Sequence, residues 1–468
     1  GSGGSSGVKN SNNDDAVKSA APSPGDSIRS QQTIIIFQIT TRSATKTPVV
    51  RRGVQSVIDS AHKARFQSYI VSVDPADAKT LKGAGCEVVV VDKKFRTNAI
   101  RKGRALQYAV EHRRRAGQNT YRYWIFHIDD ESCVTPQTIS SLVKATTENG
   151  SKMVASEGPI FYPLKLESAN RLTAIAESIR PFTCYDCVSQ MTNPPPLHMH
   201  GSNLLVRSDV EDVIEWKFGP TLAEDQMFGY KVYEKYGPGS MGWHGGILLE
   251  QPPLNIEDHF FQRRRWVLGT LQNMQKFPVW HRFKLMYKSV TYFLGFFSAV
   301  TSLAFTVHNY LPMLLAIPDR GIAPLIPHSL LSINSLVQSM ATVTPVEVGT
   351  SFILLFTSLV WLGSYQMGLF LNLKYSKIGW AKRLALHLQT LVLCPIIGAV
   401  ETFPAFWTMI EYQIKKRDMG AKKDDDVPVY DFYVISKQHM CVRTEGRRRQ
   451  GVHFIIAAPP FCLYRHAT

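Results

Sequence analysis

The sequence predicts an α/β fold with a mostly parallel sheet and helices on both faces, followed by a bundle of apolar helices. Two observations predict it. Between residues 33 and 128, short runs rich in β-branched residues alternate with segments of helical periodicity, which is typical of parallel strands joined by covering helices. Beyond residue 285, two long runs contain no charged residue, which is the pattern of helices that cross a bilayer.

The first strand is predicted at Ile34–Ile39, a short apolar run of the kind found in buried parallel strands. Apolar residues at helical spacing then predict a helix over Val49–Arg65. The remaining elements follow in alternation: a strand Tyr69–Val73, a short helix Ala76–Gly83, a strand Glu87–Val91, a basic helix Ile100–Arg115 and a strand Tyr123–Ile128. In such a sheet, ligands bind at the carboxyl ends of the strands.

The composition excludes a wholly disordered chain and suggests the charge of the partner. The 468 residues correspond to roughly three ordinary domains, and 44% hydrophobic against 19% charged residues supply ample material for a core. The 53 basic and 37 acidic residues give a net charge of +16, which favours a phosphate-bearing substrate or an anionic membrane surface. Nucleic acid is not expected, because no basic stretch is interleaved with aromatic residues.

Changes in composition divide the chain into four segments. Residues 1–32 are rich in Gly, Ser and Asn, and Gly1–Gly7 is typical of an expression linker. The rest of this first segment is expected to be disordered. Residues 33–281 form the predicted α/β domain, residues 282–414 hold the transmembrane or interfacial helices, and residues 415–468 are a predicted cytosolic tail.

The predicted membrane helices are Ser289–Ile317, with 29 residues free of Asp, Glu, Lys and Arg, and Val348–Leu373, with 26. Each exceeds the roughly 20 residues that cross a bilayer core of about 30 Å. Buried helices of a large soluble domain are the disfavoured alternative, because such runs seldom occur in a chain otherwise this charged. Flanking basic residues put both outer ends in the cytosol. A third apolar segment from Leu384, with Pro395 inside it, is expected to be re-entrant or interfacial.

Acidic residues follow two of the predicted strands. Asp74 comes directly after the second strand, where an acid is usually a helix cap or a solvated loop residue. Asp129-Asp130-Glu131 comes directly after the fourth. Three adjacent carboxylates repel one another, and Mg²⁺ or Mn²⁺, which prefer carboxylate oxygens, would relieve that repulsion. The first turn of a helix is the alternative, since acids favour that position too.

Two further charged clusters lie later in the chain. Glu224-Asp225 taken alone is typical of a solvated face. Gln262–Trp266 (QRRRW) directly precedes the apolar part. A basic run at that position anchors a membrane helix on its cytosolic side, and an Arg beside a Trp can also clamp a phosphate and stack a sugar ring.

Taken in order, these clusters resemble those of the family-2 glycosyltransferases, which are membrane-embedded synthases. The segments similar to those of the egghead-type β-1,4-mannosyltransferases are Thr41-Arg42, Lys102–Tyr108 (KGRALQY), His127–Ser132 (HIDDES), Met199–Ser202 (MHGS), Leu222–Asp225 (LAED) and Gln262–Trp266 (QRRRW). The resemblance covers roughly Ile34 to Gln275 and weakens in the apolar part. Glu131 stands where the wider family usually has the last Asp of an Asp-x-Asp metal motif.

The resemblance implies a GT-A-type nucleotide-sugar domain in which Asp129 and Glu131 hold a divalent cation, Mn²⁺ or Mg²⁺. It implies Asp225 as the catalytic general base, with Glu224 beside it. The residues implied to bind the donor are Thr41, Arg42, Asp74, Lys102, Asp129, Arg264 and Arg265. The residues implied to line the acceptor site are Gly201, Ser202, Gln262 and Trp266.

The implied reaction moves a sugar from GDP-mannose or a UDP-sugar to a glycolipid or glycan acceptor, with inversion to a β-linkage. Such a reaction needs cations for the charge that develops on the leaving diphosphate and a carboxylate that takes the acceptor proton. The implied location is a membrane, with the catalytic domain facing the cytosol: Golgi or endoplasmic reticulum in a eukaryote, plasma membrane in a bacterium. Two alternatives stay open: a processive synthase of a β-glucan, mannan or hyaluronan-like polymer, and a non-catalytic channel or transporter subunit, which the acids at strand ends disfavour.

Overall fold

The computed structural model describes residues 33–41, 47–74, 81, 83, 85–147, 152–182, 196–315 and 345–419. The elements of its α/β part are β1 (Ile34–Thr40), α1 (Thr47–Lys63), β2 (Tyr69–Val73), β3 (Glu87–Val88), α2 (Arg101–Arg115), β4 (Tyr123–Asp129), α3 (Pro136–Thr147), β5 (Ala155–Glu157), β6 (Ile160–Phe161), α4 (Arg171–Ala176), β7 (Leu204–Arg207), α5 (Ser208–Ile214), α6 (Glu224–Tyr236), β8 (Met241–Trp243) and β9 (Leu248–Leu249). The chain continues with α7 (Ile256–Met274), α8 (Val279–Leu315), α9 (Pro345–Lys374) and α10 (Trp380–Met419).

The strands and helices before residue 130 lie where the periodicity predicts them. β2 has the predicted bounds, and β1, α2 and β4 agree within one residue. β3 is shorter than predicted: the N–H of Val89 still donates to the Val73 carbonyl at 2.6 Å, and the chain then leaves the sheet. Most of the predicted helix Ala76–Gly83, all of residues 1–32 and the tail from residue 420 lie outside the described residues.

The described strands form a seven-stranded sheet in the order β3-β2-β1-β4-β7-β5-β8, and β6 pairs with β9 in a small second sheet. Four of the neighbouring pairs in the large sheet are parallel, which confirms the mostly parallel α/β fold. β7 differs, because it runs antiparallel to β4 and β5. The chain enters β7 just after Ser202, which accepts a hydrogen bond from Asp129 at the carboxyl end of β4, and it therefore runs back along β4.

The two faces of the sheet contribute to separate hydrophobic cores, as the alternation of side chains along a strand requires. On one face, Phe37 of β1 and Phe126 of β4 pack against α1 and α3. On the other, Ile36 and Ile125 pack against α2, α5 and α6. The sheet is thus the middle of three layers, and the first residues of α2 and α6 meet at its carboxyl edge.

The C-terminal helix α10 packs on α7 and α8 and also contacts α4. It bends by 64° between Trp380–Cys394 and Ile396–Ile414. The bend is at Pro395, which lacks the N–H that would continue the helical hydrogen bonds. The third apolar segment of the sequence is therefore a bent helix.

The two long uncharged runs of the sequence lie in α8, as far as Leu315, and in α9. Within the described residues, no single helix combines the length and apolar character needed to span a bilayer, whereas the bent pair of α10 meets that criterion by length and composition. The membrane helix bundle stays a prediction.

Candidate functional site

Three predicted donor-site residues lie at the carboxyl edge of the parallel strands. Thr41 follows β1, Asp74 follows β2 and Asp129 ends β4. Asp74 is 2% exposed, and burial raises its pKa well above the usual value, against a backbone hydrogen bond and the charge of Arg113. Arg42, the fourth predicted residue of this group, lies outside the described residues.

The three adjacent acids after β4 have different environments. Asp130 is buried and accepts a hydrogen bond from Thr41 Oγ1 at 3.1 Å. Glu131 is buried too, and its backbone carbonyl accepts from Arg52 at 3.1 Å. The Asp129 side chain is 36% exposed. Asp129 is thus the acid of the triplet that remains accessible from solvent.

Lys102, in the first turn of α2, connects Asp129 to the segment before β7. Its ammonium donates to Asp129 Oδ1 at 2.5 Å and to the Gly201 carbonyl oxygen at 2.9 Å. The backbone N–H of Asp129 donates in turn to Ser202 Oγ at 3.1 Å. Two predicted donor residues and two predicted acceptor residues are therefore in direct contact.

Gly201 allows two charged side chains to lie close to its backbone. A Cβ atom at this position would lie 2.8 Å from Asp225 Oδ2 and 3.1 Å from Lys102 Nζ. Any side chain would displace the carboxylate or the ammonium, and glycine is the residue that allows other groups so close to the backbone. Asp225 and Lys102 consequently meet at one backbone position.

Glu224 and Asp225 form the first turn of α6, where the helix dipole favours acids. Both side chains are half-buried. Removal from solvent raises the pKa of Glu224 to about 7, and the charge of Asp225 adds to the rise. Burial also raises the pKa of Asp225, against the opposing charge of Lys102. Adjacent carboxyls of this kind titrate as a pair, and a base with a pKa near neutrality is suited to proton abstraction.

Cations offset part of this negative charge. Burial would lower the pKa of Lys102, but Asp129, Glu224 and Asp225 outweigh it and raise the pKa above its ordinary value. Lys102 is therefore an ammonium ion at neutral pH. The charge of Arg265, on α7, also acts on Glu224 and Asp225.

Glu250 is a further acid near this group, and no sequence motif marks it. It follows β9, is 5% exposed and accepts from Ser132 Oγ at 2.8 Å. Burial and the charge of Asp129 raise its pKa to about 7. Its position after a strand was the available signal, but a two-residue strand has no detectable periodicity. We call the following group the Lys102 cluster: Lys102, Asp129, Glu224, Asp225 and Glu250.

The loop before α6 is held by α7. Asn273 Nδ2 donates to the Ala223 carbonyl at 2.7 Å, and Asn273 Oδ1 accepts from Thr221 Oγ1 at 2.6 Å. One turn earlier on α7, a Cβ atom at Gly269 would lie 2.6 Å from the Ala223 Cβ, so the helix and the loop are in close backbone contact. Asn273 lies beyond the QRRRW segment, and no sequence pattern marked it.

Arg263, on α7, lies in a buried ion network. It donates to Glu177 at 2.9 Å and to Glu401 of α10 at 2.8 Å. His259 contacts the same two carboxylates, at 2.8 Å and 3.2 Å, and Arg263 also donates to Gln262 Oε1 at 3.1 Å. We call Glu177, His259, Arg263 and Glu401 the Arg263 network.

The remaining residues of the QRRRW segment have distinct contacts. Arg264 forms two hydrogen bonds with Glu411 of α10, at 2.5 Å and 2.8 Å. The guanidinium groups of Arg180 and Arg263 each lie 4.4 Å from the Trp266 ring centroid, which is cation–π geometry. Arg264 and Trp266 therefore contact protein groups outside the Lys102 cluster.

The fit of a divalent cation rests on Asp129. Among the described residues, no three His, Cys, Asp or Glu side chains are grouped so that they could hold a metal ion. Mg²⁺ commonly uses one or two carboxylates together with substrate phosphates and water, and the accessible carboxylate of Asp129 fits that type of site. The Glu131 side chain is 7% exposed, and its role as a second ligand stays a prediction.

Residues 124–365 match the family model described as glycosyl transferase family group 2. The match covers more than half of the 468 residues and includes the Lys102 cluster except Lys102 itself. The chain belongs to this glycosyltransferase family. The resemblance found in the sequence is thereby confirmed at the level of the family.

Curated relatives agree with this family assignment. The chain is 21% identical over 362 residues to beta-1,4-mannosyltransferase egh of Drosophila melanogaster, covering 76% of this chain and 67% of that protein. It is 26% identical over 231 residues to beta-1,4-mannosyltransferase bre-3 of Caenorhabditis elegans, covering 48% of this chain and 49% of that protein. The chain thus spans about two thirds of the first relative and about half of the second.

Solved structures of synthases are also similar. Mannosyl-3-phosphoglycerate synthase from Rubrobacter xylanophilus has a TM-score of 0.31 at 14% identity, over 47% of this chain and 67% of that chain. Glucosyl-3-phosphoglycerate synthase from Mycobacterium tuberculosis, in complex with Mn²⁺, UDP-glucose and phosphoglyceric acid, has a TM-score of 0.34 at 14% identity, over 54% of this chain and 84% of that chain.

The structure of this glycosyltransferase brings together six of the predicted site residues. The predicted residues that meet are Lys102, Asp129, Gly201, Ser202, Glu224 and Asp225. Arg265 acts on them through its charge. Gln262 and Trp266 contact Arg263, and Arg264 binds Glu411. The functional role of each residue stays a prediction.

Proposed function

We propose that the chain transfers a sugar from GDP-mannose or a UDP-sugar to a hydroxyl of a glycolipid or glycan acceptor. The transfer inverts the anomeric centre, so that an α-linked donor gives a β-glycoside. The proposal rests on the family, on the relatives described as beta-1,4-mannosyltransferases and on the geometry of the Lys102 cluster. The single observation that carries it is the meeting of Asp225 and Lys102 at Gly201, with Asp129 bound to the same ammonium.

Asp225 is the proposed general base. An acceptor hydroxyl must lose its proton as it attacks, and a positioned carboxylate takes that proton. The raised pKa of Asp225 makes it a stronger base than an exposed carboxylate. The absence of a side chain at Gly201 lets Asp225 Oδ2 lie close to the backbone of Met199–Ser202, and we place the acceptor hydroxyl beside this segment.

Asp129, Lys102 and Arg265 form the proposed donor side. A Mn²⁺ or Mg²⁺ ion bound at Asp129, with Glu131 as the second proposed ligand, supplies electrostatic stabilisation of the leaving diphosphate. The ammonium of Lys102 and the guanidinium of Arg265 add positive charge at the same edge. Thr41 and Asp74 follow the neighbouring strands, where we place the nucleoside.

We also propose that the surface of α8 and α10 contacts a lipid bilayer, with the α/β part on the cytosolic side. Trp280 and Tyr287 at the start of α8 are 81% and 74% exposed, and Trp380 of α10 is 79% exposed. Arg282 and Lys284 lie between Trp280 and Tyr287 on α8. Exposed aromatic and basic residues on one helix are typical of a membrane–water interface.

A donor panel tests the reaction. The full chain, in detergent or vesicles with Mn²⁺, is supplied with GDP- and UDP-sugars and a glycolipid acceptor, and the release of nucleoside diphosphate is measured together with the linkage of the product. We expect one donor class to give a β-linked product. Asp225→Asn serves as the matched inactive control. An α-linked product, or no transfer from any donor by a folded chain, contradicts the proposal.

A further inference from the structure

We infer that α10 positions the catalytic carboxylates through α7, with Glu401 and Glu411 as its positioning residues. The inference rests on the proposed transfer reaction and adds a role for a helix that ends far downstream of the active-site motifs. It also gives Arg264 a role different from the one that the family resemblance implies. Three sets of contacts carry it.

The first contact is the buried pair of Arg263 and Glu401. Arg263 Nε donates to Glu401 at 2.8 Å, and the side chains are 6% and 13% exposed. Arg263 Nη2 donates to Glu177 at 2.9 Å and also to Glu401 at 3.3 Å. A planar guanidinium that two carboxylates bind has a fixed orientation, so α7 is held in place at Arg263.

The second contact is the pair of Arg264 and Glu411, with side chains 14% and 18% exposed. Both carboxylate oxygens are used, at 2.5 Å and 2.8 Å, and such a bidentate pair is geometrically specific. Glu401 and Glu411 are ten residues apart, or about 15 Å along a straight helix. Arg263 and Arg264 are adjacent on α7 and about 100° apart around its axis, so the two ion pairs together restrain the rotation of α7 relative to α10.

The third set of contacts passes this restraint to the active site. About one and a half and two and a half turns after Arg264, Gly269 and Asn273 of α7 contact Ala223, the residue directly before Glu224. Asn273 also donates to Gln226 Oε1 at 3.0 Å, directly after Asp225. The catalytic pair is thus bracketed by residues that α7 holds, and a shift of α7 moves the pair relative to Lys102.

A charge exchange at the second contact tests the inference. Glu411→Arg places two arginines together, and we expect kcat to fall at least about tenfold while the affinity for GDP or UDP changes less than about threefold. Arg264→Glu combined with Glu411→Arg restores an ion pair of opposite sense, and we expect it to recover most of the lost kcat. A folded exchange variant as inactive as Glu411→Arg overturns the inference, because Arg264 would then act on the substrate directly.

Milder variants keep the test decisive if the exchange variant does not fold. Glu401→Gln and Glu411→Gln keep the shape of the side chain and remove its charge. We expect each to lower kcat with nearly unchanged nucleoside diphosphate affinity, and Asp209→Asn, which weakens a partly exposed pair with Arg207, serves as the control. Unchanged kcat in both Gln variants overturns the inference. Wild-type chain that binds neither GDP nor UDP contradicts the proposed function instead.

Discussion

The Lys102 cluster and the Arg263 network both concentrate charge, but their charges are balanced differently. In the Arg263 network, Glu177 and Glu401 face Arg263 and His259. Burial would raise the pKa of Glu177, yet the charges of Arg263, His259 and Arg180, with a hydrogen bond from His259, together outweigh it and lower the pKa to about 2. In the Lys102 cluster, four carboxyls share one lysine, and the pKa of both Glu224 and Glu250 rises to about 7.

The difference indicates a structural role for the Arg263 network and a chemical role for the Lys102 cluster. A balanced buried network holds its groups in one protonation state and loses stability when one partner is removed. An unbalanced cluster has acids that exchange protons near neutral pH and negative charge that attracts further cations. Perturbed pKa values of this second kind are typical of functional sites. The two regions share α7, which carries Arg263 and contacts the residue before Glu224.

Removal of the proposed cation from the Lys102 cluster is expected to have the largest effect on the rate of transfer. Asp129→Asn should reduce transfer below detection, because the proposed metal loses its accessible carboxylate while the amide keeps the shape of the side chain. EDTA should act in the same way and be reversed by Mn²⁺. The measurement is transfer rate beside thermal unfolding, with Asp209→Asn as the surface control. Full activity in EDTA would refute the metal assignment.

Asp225→Asn is expected to have the next largest effect. General-base catalysis contributes about 10²–10⁴-fold, so kcat should fall at least about a hundredfold, whereas donor affinity should stay near normal because Asp129 and Arg265 remain. Glu224→Gln should be milder. Steady-state kinetics and nucleotide binding separate the two quantities. Lost donor affinity with an unchanged rate at saturation would show that Asp225 binds substrate instead.

The pH dependence of the rate sharpens the comparison further. The base must be ionised to accept a proton, and burial raises the pKa of Asp225 above its usual value. We expect kcat/KM to fall about tenfold per pH unit below this raised pKa and to level above it, so that the acidic limb lies at higher pH than an exposed aspartate would give. Glu224→Gln removes one like charge and should move the acidic limb to lower pH. A wild-type limb at the usual pKa of an aspartate, about 4, would contradict a catalytic role for Asp225.

The smallest predicted effect concerns stability. The pKa of Glu250 is raised in the fold from the ordinary value of 4.5 to about 7. The free energy of unfolding therefore contains a stabilising contribution from protonated Glu250 at low pH, and this contribution is lost as the pH rises through 7. The Glu250→Gln variant has no ionisable group at this position. The melting temperature of the variant minus that of wild type should therefore be roughly 2 °C larger at pH 8.5 than at pH 5. Glu401→Gln should melt lower than wild type at both pH values. A Glu250→Gln difference that is constant with pH would show that Glu250 does not titrate in this range.

Elements and site residues could be predicted where a short stretch of sequence carries the pattern by itself. β1, β2, α2 and β4 were found because period-two and period-3.6 patterns lie within single segments. Asp129, Glu224 and Asp225 were found because strand ends and family motifs mark them. Their meeting at Gly201 could be expected only through the family, since Gly201 lies 72 residues after Asp129 and 24 residues before Asp225.

The remainder depends on packing between distant segments. Arg263 and Glu401 are 138 residues apart, and nothing near either residue in the sequence indicates its partner. The basic run at 262–266 predicted a membrane anchor or a phosphate clamp, whereas two of its arginines bind carboxylates of α10. The antiparallel direction of β7 was missed for a similar reason, because it depends on where the chain enters the sheet after Ser202.

The bend at Pro395 divides α10 into two halves with different tolerance for insertions. Both Glu401 and Glu411 lie in the half after the bend, Ile396–Ile414. One residue added to a helix turns everything beyond it by about 100°. Added between Glu401 and Glu411, a residue would turn one carboxylate away from its arginine. Added before Pro395, it would leave both ion pairs in place and disturb apolar contacts instead, because Leu386 and Leu393 of the first half pack against α4 and α9.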